Sequence, residues 1–279
     1  MPYSAEISRR QPACILFLID QSHSMSDAWS SRGTSKAEGL ATIVNKALSN
    51  ITIESAKGEG INDYFHVGVI GYGSSVGSAY IGPLAGEDLV PISRVANEPA
   101  RVEERQQKID DGAGGLIEQT VKFPVWFDAV AQNGTPMCEA LRKAESVISA
   151  WAASNSESFP PIVINITDGE ANDGDPVGPA EAVRAVSTDD GDALLFNLHL
   201  SANTGGRVII FPDDPSELPD DYARQLFEMS SVLPTEMREA AQKATRYTVT
   251  DKTRGFAYQA DSASVIEFLD IGTRPSNLR

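Results

Sequence analysis

The amino-acid sequence predicts an α/β fold: a doubly wound, mostly parallel central sheet with helices on both faces. Three observations carry that expectation. Ala13 to Ile19 is an unbroken apolar run closed by Asp20, the pattern of a strand buried on both faces. Ser35 to Ser55 then places Leu40, Ile43, Val44, Ala47, Leu48 and Ile51 at helical spacing, so one helical face is apolar. Strand and helix patterns alternate again in the second half of the chain, and such alternation builds parallel sheets whose ligands gather at the carboxyl ends of the strands.

Taken in order, Phe65 to Ile70 is a second strand closed by Gly71 and Gly73, with Ser78 to Ile81 as a short hairpin partner or edge strand. From Gly82 to Asn133 the pattern loosens. Pro83, Pro91, Pro99 and Pro124, the charged stretch Arg101 to Asp111 and the run from Asp111 to Gly115 read as an irregular insertion or hairpin region, about residues 82–133. Pro136 to Trp151 is a helix, with Met137, Leu141, Ala144, Val147, Ile148 and Trp151 on one face. Ile162 to Thr167 is a strand ending in Asp168-Gly169, followed by a helix from about Pro179 to Val186 and a strand from Ala193 to Leu200. Residues 216–246 carry helical spacing interrupted by Pro219 and Pro234. Gly255 to Gln259 fits a last strand, and Ser262 to Leu269 a closing helix with Ser262 as N-cap. No internal repeat is present, and 279 residues read as one domain, 1–279, with a core over about 13–270.

Lys and Arg number 23 against 39 Asp and Glu, a net charge of −16, so nucleic acid and anionic membranes are repelled. The run from Ala13 to Ile19 is too short for a signal peptide or a membrane span. Cys14 and Cys138 cannot build a disulfide scaffold, and each sits in an apolar segment. A cytoplasmic location fits these features.

The polar residues follow the strands. Asp20, Ser22 and Ser24 stand at every second position directly after the first strand, so an extended turn would lean all three to one side. Asp168-Gly169-Glu170 follows the strand ending at Thr167. Asn133-Gly134-Thr135-Pro136 leads into a helix, with Gly134 free to adopt angles that other residues avoid and Thr135 at the helix start. Hydroxyls with a few carboxylates suit a hard divalent cation such as Mg²⁺, whereas the scattered His23, His66 and His199 do not make a zinc site.

Asp-x-Ser-x-Ser after a buried strand, Gly-Thr-Pro before a helix and Thr-Asp-Gly after a later strand resemble the metal-ion-dependent adhesion site of von Willebrand factor A (vWA) domains. The chain also resembles the stand-alone bacterial members of that family. The resemblance implies Mg²⁺ or Mn²⁺ at the sheet edge. Ser22, Ser24 and Thr135 would approach the metal directly and Asp20 and Asp168 often through water, while an Asp or Glu of a partner protein completes the shell. It implies a non-catalytic interaction module, with a protein kinase or a phosphatase among the partners to consider.

Other readings of the same residues stand beside this one. Asp20 to Ser24 also fits a solvated turn, and Thr135 an N-cap before Pro136. Glu170, Asp173 and Asp175 read as a solvated loop, His23 as an exposed side chain, and Trp126 and Phe127 as core anchors. A metal-dependent phosphohydrolase is the alternative from another class, although such sites want a second acid two residues after the nucleophilic Asp, where Ser22 stands. A structural or regulatory subunit of an AAA-type ATPase, with the metal site unused and an AAA ATPase as partner, is the third; without a Gly-x-x-x-x-Gly-Lys-Ser/Thr loop the chain is not itself a P-loop ATPase.

Overall fold

The first apolar run becomes a strand whose residues are all buried, Ala13–Asp20, and the rest of the chain is arranged around it. The computed structural model describes residues 3–29, 33–58, 60–110, 116–200, 207–244 and 248–272. In chain order the main elements are β1 (Ala13–Asp20), α1 (Lys36–Glu54), β2 (Phe65–Tyr72), β3 (Val76–Ser78), β4 (Val90–Pro91), α2 (Ile92–Asn97), β5 (Arg101–Asp110) and β6 (Leu116–Val125). They continue with α3 (Met137–Ser154), β7 (Ile162–Thr167), α4 (Val177–Ala185), β8 (Leu194–Leu200), β9 (Ile209–Ile210), α5 (Asp221–Met229), α6 (Thr235–Ala244), β10 (Phe256–Ala260) and α7 (Ser262–Gly272).

The main sheet is 8-stranded, in the order β9-β10-β8-β7-β1-β2-β3 with β4 beside β2. Neighbours from β10 through β8, β7 and β1 to β2 are parallel. The short strands β3, β4 and β9 pair antiparallel at the flanks. From β1 the chain passes through α1 to β2 on one side, and reaches β7 on the other side only later. The strand order therefore reverses at β1 and β7, the switch point above whose carboxyl ends such sheets form their crevice.

Alternate β1 side chains serve two cores. Ile15, Phe17 and Ile19 join Leu40, Val44 and Leu48 of α1 and Val265 and Phe268 of α7. Cys14, Leu16 and Leu18 join Met137, Leu141 and Ile148 of α3 and Leu226 of α5. Each fully buried side chain of this size contributes about 1.5–3 kcal/mol, which holds the ends of β1 and β7 rigid beneath the crevice. The predicted α/β, mostly parallel fold is the observed one.

The segment 82–133, read as an insertion or an irregular hairpin region, does contain a hairpin, and a more regular one than expected. It holds α2 and a regular ribbon in which β5 and β6 pair antiparallel from Arg101↔Val125 to Asp110↔Leu116. On β6 the half-buried Val121 and Phe123 and the buried Val125 alternate with the exposed Lys122, too short a pattern beside the charges of Arg101 to Arg105 to stand out in the sequence, and a free ribbon edge tolerates Pro124. The glycine run from Asp111 to Gly115 lies outside the described residues. At the base of the ribbon Trp126 and Phe127 are buried, with the Trp126 amide donating to Asn45 Oδ1 at 2.8 Å and its indole to Val95 O at 2.7 Å. They are core anchors, as read.

Smaller differences concern ends. The strand β3 begins at Val76 and stops at Ser78 rather than running to Ile81. Ser262 is the first helical residue of α7, and Asp261 caps it by accepting from Ser264 N at 2.8 Å. The strand β9 was not expected; two residues are too few to carry a pattern. Cys14 and Cys138 are buried free thiols. Burial pushes the Cys14 thiol far up, and burial with Asp173 nearby pushes Cys138 to about 11. Among the described residues no helix is long and apolar enough to cross a membrane.

Candidate metal centre

The strand β1 ends on Asp20, buried at the crevice floor. Asp20 Oδ1 accepts from Ser22 N at 2.8 Å and Oδ2 from Thr167 Oγ1 at 2.7 Å. Burial raises its pKa to about 6 against these hydrogen bonds, which favour the ionised form. The chain then enters a 3-10 turn, His23–Ser26, rather than the expected extended one, with Ser22 before it and Asp27 after it extended. The turn still brings the hydroxyls together. Ser22 Oγ lies 3.1 Å from Ser24 Oγ, and Ser24 Oγ donates to Asp168 Oδ1 at 2.7 Å across a separation of 144 residues.

A second loop is strapped to this turn. Gln132 N donates to Gln21 O at 2.6 Å, and His23 N to Asn133 O at 2.9 Å. Asn133 takes the left-handed conformation, φ 61°, where Gly134 had been expected to. Gly134 instead allows close approach, since a Cβ there would overlap the Asn172 side-chain amide. Thr135 follows. Its Oγ1 and Ser24 Oγ lie 3.8 and 4.0 Å from the point a Cβ on Gly169 would occupy, so both hydroxyls face the same small space.

Thr135 does not cap α3. The carboxylate of Asp173 takes that role, accepting from Cys138 N at 3.0 Å and Glu139 N at 2.8 Å. Among the described residues Thr135 Oγ1 makes no hydrogen bond. Asp175 is also engaged, accepting from Val177 N at 3.0 Å and Gln225 Nε2 at 3.1 Å. Two of the three acids read as a solvated loop are thus structural, and Glu170 is exposed.

Sequence reasoning missed the cation beside the cluster. Lys36 Nζ donates to Asp168 Oδ2 at 2.7 Å and to Ser24 O at 3.4 Å. The Lys36 and Asp168 side chains are 1% and 0% exposed. A third acid, Asp27, lies 3.6 Å from the ammonium but is 65% exposed. A signal existed: Lys36 stands four and eight residues before Leu40 and Val44, on the stripe that α1 buries. Thr167 and Tyr222 were missed as well; the Tyr222 hydroxyl donates to Gly169 O and pins the Asp168-Gly169 turn.

All five expected residues, Asp20, Ser22, Ser24, Thr135 and Asp168, therefore converge. In an octahedral magnesium shell neighbouring oxygens are about 3 Å apart, and the oxygen separations of 3.1 and 2.7 Å here match that spacing. The donors are all oxygen, three of them hydroxyls; among the described residues no three His, Cys, Asp or Glu side chains are grouped to hold a metal ion of any kind. The set fits a hard divalent cation. His23 is exposed beside it. His199 stacks on Tyr258 with ring centroids 4.9 Å apart, and burial lowers its pKa to about 4.

No protein-family model matches the sequence, and no curated protein does. Among solved structures the chain is similar to proximal thread matrix protein 1 from the mussel byssus, at 13% identity and a TM-score of 0.45, covering 82% of this chain and 43% of that one. It is similar to the vWF domain of the type V pili tip protein Mfa5 of Porphyromonas gingivalis, at 12% identity and a TM-score of 0.34, covering 58% of this chain and 39% of that one. It is also similar to the pilus adhesin RrgA of Streptococcus pneumoniae, at 12% identity and a TM-score of 0.32, covering 60% and 21%. The chain spans less than half the length of each of these structures.

Proposed function

We propose that this chain is a non-catalytic, vWA-like protein-interaction module. Asp20, Ser22, Ser24, Thr135 and Asp168 hold Mg²⁺ or Mn²⁺, and a partner protein supplies an Asp or Glu. The observation that carries this reading is the meeting of three hydroxyls and two buried carboxylates at the β1/β7 crevice, with oxygen separations suited to a small hard cation. The bound ion supplies the positive charge that draws a carboxylate to an otherwise acidic surface.

The chain's own residues divide the work. Asp20, held through both oxygens, fixes the turn that carries Ser22 and Ser24. Thr135 offers a hydroxyl with no structural duty among the described residues. The same contacts weigh against the phosphohydrolase alternative, because a buried Asp20 with both oxygens engaged is badly placed to attack phosphorus. A net charge of −16 favours a partner whose acidic residue sits within a basic rim. Two buried free thiols suit a reducing compartment such as the cytoplasm.

Thr135→Ala is the cleanest variant for a test, since it removes one oxygen without unpairing another. Immobilised wild type in Mg²⁺, wild type in EDTA and Thr135→Ala in Mg²⁺ are compared for proteins retained from native lysate, with melting temperature followed in parallel. The expected result is a partner retained only by wild type in Mg²⁺, with the variant melting as wild type does. Equal retention by all three contradicts the reading.

A further inference from the structure

We infer that Lys36 is the resident counter-cation of the candidate metal centre, lowering its affinity for the divalent ion while making the loaded centre selective for a carboxylate. This rests on the metal-binding reading above and adds the residue that tunes it. The ammonium is 2.7 Å from Asp168 Oδ2, while the other oxygen of the same carboxylate accepts from Ser24. Both partners are buried, so little water screens the pair.

Charge counting gives the consequence. Asp20 and Asp168 carry −2 when ionised, and Lys36 brings the cluster to −1. A divalent ion then raises it to +1, an excess that an incoming Asp or Glu neutralises. Without Lys36 the same loading ends at zero: the ion is held more tightly, and an anion gains less by joining it. Asp27 is too exposed to cancel the ammonium. Lys36 also holds Asp168 turned toward Ser24, so the carboxylate that meets the ion is already oriented.

The test is Mn²⁺ titration by calorimetry at pH 7.5, with and without excess acetate against chloride at equal ionic strength. It compares wild type, Lys36→Met and Lys36→Gln; the amide of the last can still donate to Asp168 if the apolar variant fails to fold. The expected result is Mn²⁺ affinity raised at least about tenfold in the folded neutral variant, together with a smaller enhancement by acetate than in wild type. Loss of a merely structural contact would weaken Mn²⁺ binding, the opposite sign. Wild type binding Mn²⁺ with the neutral variant binding it equally or more weakly overturns the inference and leaves the metal centre standing. Failure of every form to bind Mn²⁺ overturns the metal centre, and the inference with it.

Discussion

The candidate metal centre and the β5–β6 ribbon hold their charges in opposite ways. In the centre the partners are far apart in sequence: Ser24 and Asp168 by 144 residues, Asp20 and Thr167 by 147, Lys36 and Asp168 by 132. Their side chains are largely removed from water. In the ribbon Arg101 meets Glu103 and Asp128, and Arg105 meets Glu103, all between roughly a third and a half exposed. Buried groups that depend on distant partners are exact in geometry and costly to unpair. Exposed groups that pair with neighbours are interchangeable with water.

The largest effect expected from that contrast is at Asp168. Asp168→Ala leaves the buried Lys36 ammonium with only the Ser24 carbonyl and the exposed Asp27 near it, and should cost about 3–5 kcal/mol in urea unfolding without divalent ions. A cost below about 1 kcal/mol would place the pair in effective contact with water and erase the contrast.

Acid stability comes next. Burial lowers His199 to about 4 from 6.5, so the unfolded chain takes up a proton near pH 6.5 that the folded chain refuses until near pH 4. Stability present above pH 6.5 is therefore lost as pH falls toward 4, by at most about 3 kcal/mol. Asp20, raised to about 6, works in the other direction, since its folded form gains relative stability as pH falls through 6. The informative quantity is thus the difference between wild type and His199→Phe: the variant should lose less stability between pH 6.5 and 4. Parallel pH profiles would contradict the assignment to His199.

Two smaller effects sharpen the comparison. Asp173→Ala removes the carboxylate that accepts from two amides of α3, and should cost about 1 kcal/mol in thermal or urea unfolding. In the ribbon, Glu103→Ala should change stability by no more than about 1 kcal/mol despite contacting two arginines. A ribbon substitution costing more than Asp173→Ala would show the ribbon to be braced by more than its surface pairs.

The two regions also differed in how far the sequence disclosed them. The run from Ala13 to Ile19 and the stripe from Leu40 to Ile51 announced β1 and α1, because burial on two faces or one leaves a periodic trace. The five oxygen-bearing residues were legible because each directly follows a strand or precedes a helix, where the parallel sheet gathers loops. Lys36 lay on the buried stripe but was passed over, because a lysine at the first turn of a helix is ordinarily solvated. Asp173 was read as loop because its duty is to a helix that begins 36 residues earlier, at Met137. The ribbon left only a faint trace, a hairpin reading and the short alternation of Val121, Phe123 and Val125, because most of its described side chains are polar or charged and meet water.

The central claim, a hard divalent ion bound by the hydroxyls and carboxylates at the ends of β1 and β7, is tested most directly by counting ions. Mn²⁺ titration of wild type beside the Ser22→Ala/Ser24→Ala double variant should give one ion per chain in the first and none in the second, with both proteins folded by circular dichroism. Equal Mn²⁺ binding by the two, or none by wild type, would contradict it.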